Sequence, residues 1–441
     1  MSQAAPALAQ TVVMKFGGTS VADAERIKRA AERIAARARQ GDRVAAVLSA
    51  RGKTTDELIR MANEVSERPD PREMDMLLST GERISCALAA MVLKDLGYHA
   101  ESFSGSQAGI VTDSSHTKAR IIDVRADRIA SALDEGKIVL VAGFQGTSAA
   151  EVEGGRYKIH GNVTTLGRGG SDTTAVAIAA ALGADVCEIY TDVDGVFSAD
   201  PRIVPDARKL PHVSFEEMRE MSASGAGVLQ LRSVEYARNH GVRIHCRSSF
   251  NDGPGTFVLT EEETMERPLV TAVTHSTDEA RITLTGLPDT PGVAGRVLTV
   301  LAIANVNVDM IIQNEPLADG RGADMSFTVP RDDLLNAREA LEPLKAELGI
   351  GDIATDPEMG KVSLVGAGMK SHPGVAAKTF TVLGDAGVNI EMISTSPIKI
   401  SCVVRQEDVP EAVRRLHSAF DLGADAVRHE DVRGVHRPVV S

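Results

Sequence analysis

The sequence predicts an α/β fold: a mainly parallel sheet covered by helices on both sides over residues 11–250, then two smaller modules that each contain a βαβ pattern. Three observations carry this expectation. Short runs that are apolar on both faces alternate with helical stretches through the first 250 residues, as strands buried from above and below require. Next, "SSFNDGPGTFVLTEEETMERP" (248–268) is rich in turn formers and acids and reads as a linker. Beyond it an internal repeat occurs twice, which points to paired modules, since a solenoid needs at least three copies.

The first element is "TVVMKFGGTS" (11–20). Thr11–Met14 reads as a buried strand, Gly17 and Gly18 as a turn with free backbone geometry, and Ser20 as a helix cap. From Val21 the pattern is helical, with Val21, Ala24, Ile27, Ala31 and Ile34 on one face. Strand, lysine, glycine turn and helix together offer N–H groups, a helix N-terminus and one cation to an anion. A glycine turn needs no ligand, so this segment alone leaves phosphate binding open. "RVAAVLSA" (43–50), "KIVLVAGF" (137–144) and "CEIYTDVDGVF" (187–197) read as further strands, and residues 55–67, 75–97 and 171–183 as helices. In a parallel sheet, ligands sit outside the carboxyl ends of the strands. The glycine turns after Met14, Ala142 and Tyr190 therefore converge on one site.

In the second part, "RITLTGLPDTPGVAGRVLTVLAIANVNVDMIIQ" (281–313) matches "KVSLVGAGMKSHPGVAAKTFTVLGDAGVNIEMIS" (361–394). Pro291-Gly292-Val293 corresponds to Pro373-Gly374-Val375 and Asn307 to Asn389, each 82 residues on. Each copy reads strand, Pro-Gly turn, helix, strand. The turn frees N–H groups at a helix start, a suitable place for a carboxylate.

Composition narrows the function. A formal charge of −13, a pI near 5.4 and no long basic run argue against a nucleic-acid partner. Aromatic content of 3% without tryptophan leaves little for base stacking. Cys86, Cys187, Cys246 and Cys402 lie far apart with no metal-ligand spacing, as expected of reduced thiols. The start "MSQAAPALAQ" lacks signal-peptide features, and no apolar run approaches the roughly 20 residues that span a bilayer. A soluble cytoplasmic chain with no membrane partner is expected.

Three stretches carry chemistry. "VTTLGRGGSDTTA" (163–175) sets Arg168 and two glycines before a helix, a planar bidentate grip for a carboxylate with room for close backbone approach. "YTDVDGVFSADPR" (190–202) holds Asp192, Asp194, Asp200 and Arg202 in a turn-rich segment. "STGERIS" (79–85) places Glu82 where it can hold an ammonium group. Each also has a plainer reading: Asp194-Gly195 as an ordinary turn, Glu82 as a helix-start cap, Asp200-Pro201 as a segment end.

With "KFGGTSVADAERI", "TGERIS", "FSGSQAG", "TTLGRGGSDTTA" and "EIYTDVDGVFSADPR", the chain resembles the aspartokinases of the amino-acid-kinase family, followed by two regulatory ACT modules of ferredoxin-like type. The resemblance runs from Val13 to about Ala426 and implies a kinase domain over 11–250, a linker over 251–268 and ACT modules over 269–350 and 351–430. It implies phosphorylation of the side-chain carboxylate of L-aspartate by MgATP to 4-phospho-L-aspartate, the first step toward lysine, threonine and methionine. Carried over by position, Lys15, Phe16, Gly17, Gly18, Ser49, Asp192, Val193, Phe197, Asp200 and Arg202 would bind ATP. Thr55, Glu82, Arg168, Gly169, Gly170 and Ser171 would bind aspartate, with Lys15, Asp192 and Arg168 as the catalytic set. Mg²⁺ would be held through ATP phosphates rather than by protein side chains. A carboxylate, with a reference pKa near 4, is already ionised at neutral pH. No general base is then needed, and catalysis falls to positioning and charge neutralisation. In the ACT modules Asp289, Gly292, Asn307, Asp309, Gln313, Asn389 and Ile390 would line sites for an amino-acid effector, threonine or lysine. Through these modules the chain would form a homo-oligomer or join a shorter regulatory subunit, for which Met265 offers an internal start.

Four departures from the family pattern stand out. Gly227 replaces a lysine expected to contact ATP, and Arg51 and Lys53 add charge near the substrate. The loop "SAAEVEGGRYKIHGN" (148–162) is longer, with Tyr157 and Lys158 on it, and Pro397 replaces an acid beside the effector pocket. Two alternatives stay open: a specialised paralogue acting on a different amino-acid carboxylate in secondary metabolism, and a catalytically inactive amino-acid-binding regulatory protein.

Overall fold

A computed structural model describes residues 10–152, 156–263, 269–314, 322–372 and 374–423, with the side chains of residues 151, 152, 156, 157, 370 and 371 outside that description. Met265, Pro373 and the side chain of Tyr157 thus lie outside the described residues. The chain divides into two compact units. The first is Met1–Val196 with Lys209–Ser222 and Gly227–Met265; the second is Phe197–Arg208, Ala223–Ala226 and Glu266–Ser441.

The first unit contains β1 (Thr11–Phe16), α1 (Ala24–Arg39), β2 (Arg43–Leu48), α2 (Thr54–Val65), α3 (Pro71–Leu78), α4 (Thr80–Asp95), β3 (Ala100–Phe103), β4 (Ile110–Thr112), β5 (Ile121–Val124) and α5 (Asp127–Asp134). It continues with β6 (Ile138–Ala142), β7 (Gln145–Val152), β8 (Arg156–Thr165), α6 (Gly170–Leu182), β9 (Val186–Thr191), β10 (His212–Ser214), α7 (Phe215–Ala223), α8 (Leu231–His240), β11 (Ile244–Ser248) and β12 (Thr256–Leu259). Eight strands form the main sheet in the order β10-β12-β11-β9-β1-β2-β6-β3, parallel except where β12 meets β11. The central strands β9, β1, β2 and β6 are buried on both faces, as a helix-covered parallel sheet demands. Register brings their carboxyl ends level: Phe16 pairs with both Leu48 and Tyr190, and Leu48 with Ala142. A second sheet, β5-β4-β7-β8, ends in the long β7–β8 hairpin.

Several local expectations change. Ser20 does not cap α1; Asp23 does, accepting from Arg26 N at 2.9 Å, while Ser20 Oγ meets Ser249 Oγ at 2.5 Å. Ala24 is exposed, and the buried face of α1 is Ile27, Ala30, Ala31, Ile34 and Ala35. The helix expected over 75–97 is two helices broken at Ser79. Taken together, Pro71–Asp95 is long and apolar enough by length and composition to cross a membrane, although no such run was expected. Its buried face, including Cys86, Ala89 and Leu93, packs into the core of the first unit. The stretch 251–268 is not only a linker, because Thr256–Leu259 is a sheet strand there. Its flanking turn formers masked a short β-branched run.

The second unit contains β13 (Ala272–Leu287), α9 (Val293–Ile303), β14 (Asp309–Gln313), β15 (Ala323–Pro330), α10 (Leu334–Leu348), β16 (Asp352–Val365), α11 (Val375–Asp385), β17 (Met392–Ser396), β18 (Lys399–Arg405) and α12 (Val409–Ala419). Its strands form one antiparallel sheet, β14-β15-β13-β16-β18-β17. The two long central strands serve both modules. Arg281–Thr285 pairs with Asp352–Asp356, whereas Ala272–Ser276 pairs with Lys361–Val365. The fourth strand of the second module therefore comes from upstream of the first, and a cut at residue 350 does not separate the modules. Two ion pairs repeat across this arrangement. Lys361, which opens the second copy of the repeat, meets Asp309 of the first at 2.9 Å; Arg281, which opens the first copy, meets Glu391 of the second at 2.8 Å.

Candidate active site

Lys15 occupies the carboxyl end of β1, where the strand leaves the core and half-emerges. Its ammonium lies 2.5 Å from Asp172 Oδ1 in the first turn of α6, with both side chains largely buried. α6 is apolar and buried over most of its length, so it packs directly beneath the strand ends and carries Asp172 to the lysine. Gly17 follows Phe16 at the end of the strand, but its N–H is not free: it donates to Tyr190 O at 3.2 Å. Phe16 turns into the core and stacks on Tyr190 at 4.7 Å, leaving only its backbone near the site.

Glu82 sits in the first turn of α4 and is buried. Its Oε1 accepts from Ala50 N at 3.1 Å, while Oε2 is buried without a hydrogen-bond partner. Burial pushes its carboxyl up from 4.5 to about 7, against smaller opposing effects of backbone hydrogen bonds. Two glycines allow this approach. A Cβ on Gly81 would stand 2.8 Å from Ala50 Cβ, and one on Gly18 would stand 2.9 Å from Ala50 O. The turn after Lys15, the end of β2 and the start of α4 are thus in direct contact.

Arg168 is exposed in the turn between β8 and α6 and makes no ion pair among the described residues. Gly169, at a φ of 74°, caps α6 in the left-handed region, where glycine is favoured. Its missing side chain leaves room for Gln230, whose Cγ lies 2.0 Å from where a Cβ would stand. Gly170 and Ser171 are buried at the helix start, and Ser171 Oγ packs against Gly143 after β6. Thr55 and Ser49 are half-buried, and Ser49 N donates to Phe16 O at 3.1 Å. Asp192 is exposed just past β9 and Val193 half-buried.

The structure does not place all the expected nucleotide residues in one unit. Phe197, Asp200 and Arg202 fold with the second unit, where Arg202 grips Asp200 at 2.6 Å and holds its carboxyl below the usual range. Arg51 donates to Ala22 O at 3.3 Å, Lys53 is exposed, and Gly227 stands in open space. Lys158 is exposed on the hairpin. Asp172 escaped sequence reasoning; the signal available was an acid in the first turn of the helix that follows Arg168.

Comparison with known proteins completes the picture. Residues 10–248 match the model of the amino acid kinase family, and residues 281–346 and 362–420 each match an ACT domain. The aspartokinase of Mycobacterium tuberculosis is 55% identical over 416 residues, covering 94% of this chain and 97% of its own length. That of Corynebacterium glutamicum is 51% identical over the same shares. The chain belongs to the aspartokinase family. Among solved family members, E. coli aspartokinase III with aspartate and ADP (R-state) superposes with a TM-score of 0.79 at 26% identity, covering 93% of this chain and 99% of that one. The same enzyme with lysine and aspartate (T-state) gives a TM-score of 0.70 at 26% identity and the same 93% coverage of this chain.

As for the effector residues expected from the family, Asp289, Asn307, Asp309, Gln313 and Asn389 are exposed in the second unit, and Ile390 is half-buried. Gly292 caps α9 at a φ of 100°. Asp309 is already engaged by Lys361, and Asn389 donates to Glu391 at 3.1 Å. Pro397 lies in the tight turn joining β17 to β18.

Proposed function

We propose that this aspartokinase-family chain transfers the terminal phosphoryl group of ATP to the side-chain carboxylate of L-aspartate, giving 4-phospho-L-aspartate and ADP. The observation that carries the reading is the junction at the strand ends, where a lysine held by Asp172 stands on β1 and a buried carboxylate with one unpartnered oxygen faces the adjoining turn. Lys15 neutralises charge on the transferring phosphoryl group, and Asp172 fixes its direction. Glu82 takes the substrate ammonium on Oε2, and Arg168, with Gly169, Gly170, Ser171 and Thr55 around it, takes a substrate carboxylate. Gly17, Gly18, Ser49, Asp192 and Val193 serve the nucleotide. No group of three or more His, Cys, Asp or Glu among the described residues suits a bare metal ion. A lone exposed acid such as Asp192 fits Mg²⁺ that arrives on the nucleotide, since Mg²⁺ keeps phosphates, waters and one or two carboxylates. When bound, that ion offsets phosphate charge.

Regulation by an amino acid, threonine or lysine, acting through the ACT modules is part of this proposal. The R-state and T-state structures of E. coli aspartokinase III support it. Pairing of ACT modules between chains is supported by exposed Ile311 and Ile393 on the two edge strands of the sheet.

The test is ATP-dependent acyl-phosphate formation trapped as the hydroxamate, with L-aspartate set against glutamate and β-substituted aspartates. Turnover with aspartate supports the reading, and threonine and lysine added singly and together identify the effector. Turnover only with an analogue would replace the substrate. Lys15→Ala is expected to lower kcat at least about a hundredfold, the scale of losing a charge-stabilising donor.

A further inference from the structure

We propose that Asp75 is a positioning residue that sets the distance between the two ends of the bound amino acid, an inference that rests on the substrate reading above. Asp75 lies on α3, fully buried, and touches neither reacting group. Its carboxylate accepts from Thr165 Oγ1 at 2.5 Å, from Thr117 N at 3.0 Å and from His116 Nδ1 at 2.6 Å. One buried charge therefore joins three pieces of chain: α3, the turn at residues 113–118 and the end of β8.

Each piece leads to one end of the substrate site. Toward Glu82, α3 passes into α4 across the break at Ser79. Gln145 splints that break: its Nε2 donates to Ser79 O at 2.8 Å and its Oε1 accepts from Arg83 Nε at 3.2 Å. Toward Arg168, Thr165 is three residues upstream. Ala119 N donates to Thr165 O at 2.9 Å, and Arg232 donates to Leu166 O at 2.6 Å and Ala119 O at 3.0 Å. The Cβ position of Gly167 stands only 3.1 Å from Thr117 O, so the 113–118 turn abuts the segment that carries Arg168.

Thr117 shows where the carboxylate acts. Its φ of 66° is an outlier for a β-branched residue, and such strain persists only where the surroundings over-determine it. Asp75 holds the N–H of that residue with both oxygens, at 3.0 and 3.2 Å. Without the charge, Thr117 relaxes, the turn retreats from Gly167, and Arg168 loses its fixed distance from Glu82. The nucleotide end has no residue in this joint.

The experiment compares Asp75→Asn and Thr165→Val with the unaltered full-length chain, measuring kcat, the KM for aspartate, the KM for ATP and thermal unfolding. Aspartate KM is expected to rise about tenfold in Asp75→Asn and less in Thr165→Val, the cost of a displaced binding group. ATP KM is expected to stay within about twofold, because binding of the other substrate is untouched. Unchanged aspartate KM in both variants, or a parallel change of both KM values with the loss of stability, would overturn the positioning role. Should Asp75→Asn fail to fold, Thr165→Val decides alone, since it removes one hydroxyl and keeps the shape. No turnover of aspartate by the unaltered chain would instead overturn the functional reading on which the inference stands.

Discussion

Glu82 sits in an environment that opposes its charge, and this shapes stability and, in its proposed role, substrate binding. Desolvation raises its carboxyl from 4.5 to about 7. A carboxyl whose folded value exceeds its unfolded one holds its proton more tightly in the native state. Its contribution is then favourable below about pH 4.5 and is lost as pH rises through 7, at a cost of roughly 3 kcal/mol above that. In the role proposed for Glu82, a substrate ammonium reverses the balance by pairing with the ionised form. The KM for aspartate is accordingly expected to fall as pH rises from 6 to 8. Glu82→Gln is expected to raise that KM about tenfold or more, abolish its pH dependence, and raise the melting temperature at pH 8. Steady-state kinetics against pH, paired with thermal unfolding, check all three. Unequal stabilities with an unchanged KM would leave Glu82 a structural group only.

At the scale of elements, the site depends on how closely α4 meets the end of β2. A methyl group on Gly81 would lie 2.8 Å from Ala50 Cβ, so Gly81→Ala must push helix and strand apart. Overpacking of this kind costs about 1–3 kcal/mol. Because Glu82 is the next residue, Gly81→Ala is also expected to raise the KM for aspartate, with ATP binding little changed. Denaturant unfolding and kinetics measure the two effects together. The elements themselves were legible where pattern and burial coincide: β1, β2, β6 and α6 stand where apolar runs place them, whereas the strand expected over 187–197 ends at Thr191. The helix cap was not. Ser20 and Asp23 are both competent cap residues, and a short 3-10 turn over Gly18–Val21 moves the start of α1 to the second. The break at Ser79 was equally silent, because helix-compatible residues run through it unbroken.

At the scale of the whole molecule, the paired modules of the second unit are held by charges that local pattern does not reveal. Lys361 is buried between Glu279 at 2.8 Å and Asp309 at 2.9 Å, and these acids keep its ammonium above the usual lysine range despite burial. Lys361→Met would leave Glu279 buried without its ion pair to Lys361. A loss of about 3 kcal/mol from the second unit is expected, as for removing one partner of a buried pair. Calorimetry should show the transition of that unit lowered while basal turnover at low temperature persists; an unshifted transition would mean the pair carries no stability. The repeat was plain in the sequence, but the cross-pairing of Arg281 with Glu391 and Lys361 with Asp309 emerges only when the two copies share one sheet.

The sequence by itself determined the family, the parallel core, the twofold repeat and the candidate lysine, arginine and glutamate, because these rest on local periodicity and on contiguous motifs. Tertiary structure alone decided that Asp172 holds Lys15, that Glu82 is desolvated with one oxygen unpartnered, and that Asp75 ties two distant segments together. It also decided that Phe197, Asp200 and Arg202 fold with the second unit. The reason is physical: ionisation, strain and pairing depend on what surrounds a group in space, and those neighbours lie dozens to hundreds of residues away along the chain.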